Sequence, residues 1–437
     1  MAGWMRRRID VGLVASLVAL VACGGGEARK PAAAATTATG PASATASAAP
    51  AAPTAAGPEP VNLDFDTASK REVAALPRKR VAAGAFSAEI EAAAEPKVFF
   101  QDNLTHLTIP FGSRTPMQCV ILEAPKDAAA LMARMRADLA TKVELTSFAV
   151  ADVFVVGEHA VLTAHATYLA ATPAGKAAGQ LKVAYHNDAL APALCTHDEV
   201  GYGASFARIA KGLFETARLR DRRLGDKIAS YWEVHALKVD GKPLGYHEHR
   251  RIDDASTKLT TTTDVTATLL PRSPSNPLPR DRVTVHTVDS SGVVLELVEA
   301  SFADGETDLN VTLKRVAAGS YAYRGEQRGK PLGGTFATVD KAGLTSDIGL
   351  AARIKNELLT GKASSFVAEE YDPLVNPTAP RTATYTLESL AERRIGIAKG
   401  GTRAVATADA SGRIAGVTVS DRGATFTVER VAAGGRP

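Results

Sequence analysis

The chain is poor in aromatic residues, in cysteine and in any excess of charge of one sign. Phe, Tyr and Trp make up 5% of its 437 residues, so each large ring is a scarce packing anchor. Lys and Arg number 51 against 47 Asp and Glu. That balance lacks the basic footprint of a nucleic-acid-binding protein. Charges cluster at Arg78-Lys79-Arg80 and across 218–223, and solvated loops account for both. No Gly-x-Ser-x-Gly elbow, His-Glu-x-x-His helix, Walker loop or Cys-x-x-Cys pair is present. The common signatures of serine hydrolases, zinc proteases, nucleotide cradles and dithiol redox sites are therefore missing. Gly201-x-Gly203 lacks the third glycine of a dinucleotide loop. The apolar run 11–22 is too short for a stable membrane span.

What is present begins with that run. Arg6, Arg7 and Arg8 precede it and Leu20-Val21-Ala22-Cys23 closes it. A positive n-region, a short apolar h-region and a small residue before the cut are the parts of a secretory signal. With the cysteine in place, the stretch resembles the lipobox of bacterial lipoprotein precursors. The resemblance implies that 1–22 is removed and that Cys23 carries three acyl chains, which anchor firmly where one chain does not. Gly24 rather than Asp follows. By the same resemblance the protein goes to the outer membrane, facing the periplasm or the cell surface.

Residues 23–60 hold almost nothing but Ala, Thr, Pro, Ser and Gly. They have no large side chain to bury and cannot offset their own ordering entropy, so they read as a disordered tether. With Cys23 acylated, Cys119 and Cys195 are left. An even pair in an exported chain favours a disulfide. Two buried free thiols are the alternative.

The remaining length exceeds what one core usually serves, and two domains are expected, 61–220 and 221–437. The first alternates strand-like runs with two helices. Leu131, Met132, Met135 and Leu139 recur at helical spacing behind Asp127 as cap, and Phe206, Ile209, Ala210, Leu213, Phe214 and Ala217 form one stripe from about Ser205. The order helix, meander, helix, with Cys195-Thr196-His197-Asp198-Glu199-Val200-Gly201-Tyr202 leading into the second helix, resembles the PsbP-like families, which implies an α/β/α sandwich. The second domain is a run of strands punctuated by turn signals such as Asp240-Gly241, Asp289–Gly292, Asp304-Gly305 and Ser411-Gly412. One helix is expected there, capped by Thr345 and ended by Gly361. Ser230-Tyr231-Trp232-Glu233 followed by Asp240-Gly241-Lys242-Pro243-Leu244-Gly245-Tyr246 resembles the opening hairpin of an envelope β-roll that precedes transglutaminase-like domains. The expected class is α+β: an antiparallel sheet with two packed helices, then a mainly antiparallel β sandwich or roll with one helix.

Three constellations carry candidate chemistry. A turn near Gly241 sets His235 opposite His247 and Glu233 opposite His249, and three imidazoles with a carboxylate suit zinc. A wet outer face of titrating histidines is the alternative. Cys195, His197 and Asp198 place a thiol beside a base, though nucleophile and base usually come from separate elements. Trp232, Tyr231 and Tyr246 form either an aromatic ligand rim or part of the core.

The expected function is non-catalytic and needs no cofactor. A lipid-anchored protein would bind an envelope component, whether a protein, a lipid or cell-wall material, and no nucleic acid. An envelope hydrolase or metal enzyme built on the histidine hairpin is the alternative class. A Cys23→Ser chain is expected to leave the membrane fraction for the soluble pool; cell fractionation and immunoblotting check this, and retention of the variant with envelopes would reject the anchor.

Overall fold

The computed structural model describes residues 65–436 apart from 102–103, 123, 174, 188–191, 220–221, 224–227 and 422. The expected signal, Cys23 and the tether lie outside the described residues.

Long β-branched and alternating runs pair with their sequence neighbours, so the chain folds as meanders. Arg78–Ala83 (β1) and Phe86–Glu91 (β2) form a hairpin. Lys97–Gln101 (β3), Leu104–Ile109 (β4), Met117–Ile121 (β5), Glu144–Val156 (β6), His159–Thr172 (β7), Gly175–His186 (β8) and Ala193–Asp198 (β9) form an antiparallel sheet in the order β3-β4-β5-β9-β8-β7-β6. Arg218–Leu219 (β10) and Arg222–Arg223 (β11) extend the first hairpin.

A fourteen-stranded sheet follows. Its first half comprises Tyr231–Val239 (β12), Lys242–Asp254 (β13), Leu259–Leu270 (β14), Leu278–Val288 (β15), Val294–Ala303 (β16), Glu306–Ala317 (β17), Ser320–Gln327 (β18) and Lys330–Ala337 (β19). Its second half comprises Ser365–Glu370 (β20), Arg381–Ser389 (β21), Arg394–Lys399 (β22), Thr402–Ala408 (β23), Ile414–Asp421 (β24) and Ala424–Gly435 (β25). The chain meanders outward to β19, restarts at the opposite edge with β20, and returns until β25 pairs with β12. The helices are Phe65–Ala68 (α1), Pro125–Lys142 (α2), Gly203–Thr216 (α3) and Asp347–Arg353 (α4), and α4 runs on as a π turn over Ile354–Leu358.

The α+β expectation is corrected: the protein is mostly β, with 59% of its described residues in strands and 13% in helices. The strands beyond those expected include Leu259–Leu270 and β19 through β22. Leu259–Leu270 carries a run of four threonines, and Thr is β-branched and suits a pleated surface. The caps differ too. Pro125 opens α2, as its fixed φ allows, and Asp127 sits in the first turn without capping. α3 begins two residues early, and Glu72 accepts from the backbone N–H groups of Ala204 and Ser205 at 2.9 and 2.7 Å. Ser346, not Thr345, caps α4 by accepting from Gly349 N at 3.2 Å.

The two large sheets share a core. Leu162, Ala164 and Tyr185 meet Trp232, Val234, Tyr246 and Val265, with Met132 of α2 in the same cluster. Stretches 61–220 and 221–437 are thus packed through one apolar layer. α2 also presses on the β16–β17 turn. A Cβ on Gly305, whose φ is +81°, would lie 2.8 Å from Ala133 Cβ, so only glycine fits there. α3 packs its apolar stripe on β2 and the β4–β5 region, away from the second sheet.

Cys119 lies directly opposite Cys195 across β5 and β9, and the two are bridged. The pair closes a loop with a sequence separation of 76. In the chain-entropy treatment such a loop stabilises by about 4 kcal/mol. The Cys119→Ala/Cys195→Ala double variant is expected to lose stability of that order in urea unfolding. An unchanged midpoint would deny the bridge a stabilising role.

Candidate functional site

In β12 the side chains alternate between two covered faces. Trp232 and Val234 point into the core shared with the first sheet, while Tyr231, Glu233 and His235 point the other way. Pairing continues this inner face across the sheet. One cross-strand row reads Glu233, His249, Asp264, Thr284 and Glu299, and the next reads His235, His247, Thr266, Arg282 and Ser301. All ten are buried. An antiparallel sheet commonly leaves its polar face in water; here α4 and the curled second half of the sheet cover it.

Two turns of the same sequence type hold α4 in place. Asp289-Ser290-Ser291-Gly292 and Asp409-Ala410-Ser411-Gly412 each fold around their aspartate, which accepts from the backbone N–H two residues on at 2.9 and 2.8 Å. A Cβ on Gly292 would come within 2.4 Å of Gly349 Cα, and one on Gly412 within 2.2 Å of the Ala351 carbonyl. Both turns therefore press their backbones against the helix. Ser346 donates its hydroxyl to the Gly292 carbonyl at 2.7 Å. The second turn delivers Arg413 into the space between helix and sheet.

Between α4 and the inner face lies a half-open cleft, with about 70 Å³ of enterable space inside it and about 790 Å³ when the open mouth is counted. Its wall is apolar, with Val294, Leu297, Leu344, Leu350 and Ile354. Its floor is ionic, with Glu233, His249, Asp347 and Arg413. Asp264 beneath the floor is approached by two imidazoles, His247 Nε2 at 2.7 Å and His249 Nδ1 at 3.0 Å. His249 Nε2 lies 3.3 Å from Asp347 Oδ2. Burial disfavours the imidazolium of His249, but Asp264 and Asp347 outweigh it and lift the pKa to about 8. Burial depresses His286, against Asp347 and Asp264, to about 4. Burial likewise holds His235 well below the ordinary histidine range, helped by His247 and Arg430. Glu233 accepts from Tyr231 Oη at 2.8 Å and lies 2.8 Å from Arg430 Nε. Farther along, Arg282 lies 2.7 Å from Glu299 and 2.9 Å from Asp372. Burial nonetheless keeps Glu299 above the usual carboxylate range.

The four residues of the expected metal site take the expected cross-strand pairing but are otherwise engaged. The rings of His235 and His247 are 6.1 Å apart between centroids, Asp264 draws His247 and His249 together, and Glu233 belongs to Arg430 and Tyr231. Among the described residues no three His, Cys, Asp or Glu side chains are placed to hold one metal ion. Cys195 is consumed by the disulfide, and burial with the Lys182 charge pushes its neighbour His197 down to about 4. The aromatic trio divides: Trp232 and Tyr246 are core, and Tyr231 lies on the other face, buried under the Arg413 guanidinium at 4.0 Å. Asp264, Asp347 and Arg413 were not singled out in the sequence. The repeated Asp-x-Ser-Gly at 289–292 and 409–412 was the available signal for the last.

His249 couples this network to pH. Its folded pKa exceeds the unfolded value of about 6.5. The folded state then binds more protons between pH 6.5 and 8, and stability falls as pH rises through that window. The contribution is of order 2 kcal/mol. Comparing unfolding free energies of wild type and His249→Asn from pH 6 to 8.5 should show a shallower decline in the variant; parallel curves would refute the coupling.

No family model matches the chain, and no curated protein does. Among solved structures it is similar to a β-barrel-like protein of domain of unknown function DUF1849 from Brucella abortus, with a TM-score of 0.37 and 12% identity over 46% of this chain and 96% of that one. It is also similar to a DUF1089 family protein from Pseudomonas aeruginosa, with a TM-score of 0.25 and 14% identity over 39% of this chain and 87% of that one.

Proposed function

We propose that this is a lipid-anchored envelope protein, tethered through Cys23, that holds a ligand with an apolar body in the cleft beside α4. The observation that carries the reading is the cleft itself. Apolar and ionic side chains line the same half-open space, the usual composition of a small-molecule pocket. A ligand sheltered there loses contact with water along its length, at about 25 cal/mol per Å² of apolar surface. The tether would let the binding domain range from the membrane while its acyl chains stay inserted.

Carriage without chemistry fits the side chains present. Cys195 is bridged, His247 and His249 are bound up with Asp264, and His249 also faces Asp347. An envelope hydrolase on the histidine hairpin would require Glu233, His235, His247 and His249 to converge on one ion or one reacting atom, and their partners hold them apart.

The full chain carrying Cys23→Ser is expected to bind a neutral solvatochromic dye such as Nile red at one saturable site. Ala351→Phe, which fills the cleft from the helix side, is expected to weaken binding by about tenfold or more, as the loss of roughly 1.4 kcal/mol would. Leu350→Arg is a second filling variant, and melting curves verify that each is folded. Dye binding that is absent, or indifferent to both folded variants, would overturn the reading.

A further inference from the structure

The floor of the cleft carries two charges of opposite sign whose bonding capacity the protein leaves open. Arg413 is only 6% exposed at its side chain. Its guanidinium stacks over Tyr231, and its Nη1 lies 3.7 Å from both Glu233 and Asp347, outside hydrogen-bond distance. Glu233 is meanwhile satisfied by Tyr231 and Arg430 at 2.8 Å. The two Arg413 ion pairs are long, so its guanidinium donors can still take a closer acceptor from the cleft. Asp347 presents the converse. Its Oδ2 lies 3.3 Å from His249 Nε2, and its buried Oδ1 accepts no hydrogen bond within the protein. Both side chains line the cleft, at the foot of the apolar wall.

These neighbours discriminate by charge. A head bearing only negative charge would be drawn to Arg413 but pushed away by Glu233, Asp347 and, farther along the lining, Glu370. A head bearing only positive charge would meet Asp347 but also Arg413 and the proton-holding His249. A head with both charges a few bonds apart meets complementary groups at each end and carries no net charge into a floor that is itself nearly balanced. We propose that the cleft takes a zwitterionic amphiphile, with its anionic group on Arg413, its primary ammonium on Asp347 Oδ1, and its alkyl chain along Leu297, Leu350 and Ile354. The proposal rests on the carrier reading and adds to it the chemistry of the head.

Three single-chain amphiphiles with the same twelve-carbon tail test this, each below its micelle concentration, as competitors of Nile red on the full chain carrying Cys23→Ser. They are lauroyl lysophosphatidylethanolamine, dodecyl phosphate and dodecylamine. The zwitterion is expected to displace the dye at a concentration about tenfold below either singly charged competitor, a factor set by one additional charge contact. In Asp347→Asn the advantage over dodecyl phosphate should shrink to about twofold, and in Arg413→Gln the advantage over dodecylamine should shrink likewise. Each ratio is internal to one protein, so a change in overall stability does not mimic it, and the wild-type ranking stands without either variant. Equal potency of the three on a protein that binds the dye would overturn the zwitterion and leave the carrier reading intact. Failure of the dye to bind would take down both.

Discussion

A polar sheet face that is denied water must satisfy itself, and the second half of this molecule is organised around that requirement. From β12 to β16 the outer face is closed by the first sheet and the inner face by α4. Asp264, the imidazoles beside it, Arg282 with Glu299 and Asp372, and Glu233 with Arg430 are what remains when solvent is excluded from both sides. Buried charges are tolerated only when paired, and removing one member strands the other. The network therefore resists piecemeal change, and it fixes the height of the cleft floor.

The apolar wall and the ionic floor meet because α4 is held from both sides. Gly292 and Gly412 bring two turns closer to the helix than any other residue would permit. Ser346 joins the helix start to one of these turns, and the other turn supplies Arg413. A seven-residue helix continued by a π turn has little stability of its own. It is ordered by Leu350, Ile354 and Leu358 packing into the second half of the sheet. Leu350 and Ile354 also border the cleft, so the residues that order the helix form part of the cleft wall.

The hairpin of β12 and β13 was legible because Asp240-Gly241 is a strong turn signal and one turn sets the pairing of a whole strand. The stripe of α3 was legible because period 3.6 shows on one element alone, and the Cys119–Cys195 bridge because two cysteines have one way to pair. The threonine-rich β14 was not legible. Four threonines and an aspartate fill its first half, and the short alternation of Val265, Ala267 and Leu269 does not by itself mark a twelve-residue strand. Nor was the mostly-β class, since β19 to β22 are short and their strand character is fixed by pairing. The site suffered most: Glu233 and His249 were found, but Asp347 and Arg413 come from a helix start and a turn more than sixty residues apart.

By itself the sequence determined what depends on near neighbours: the turns, the pairing they impose, the amphipathic stripe, the composition of residues 23–60 and the absence of familiar catalytic spacings. Only the tertiary structure decided which sheet face would be dry and what would cover it. Whether a histidine is a solvated surface group, a metal ligand or a partner of a buried carboxylate depends on atoms brought near by packing, and solvation and Coulomb energies are set by those atoms rather than by adjacent letters.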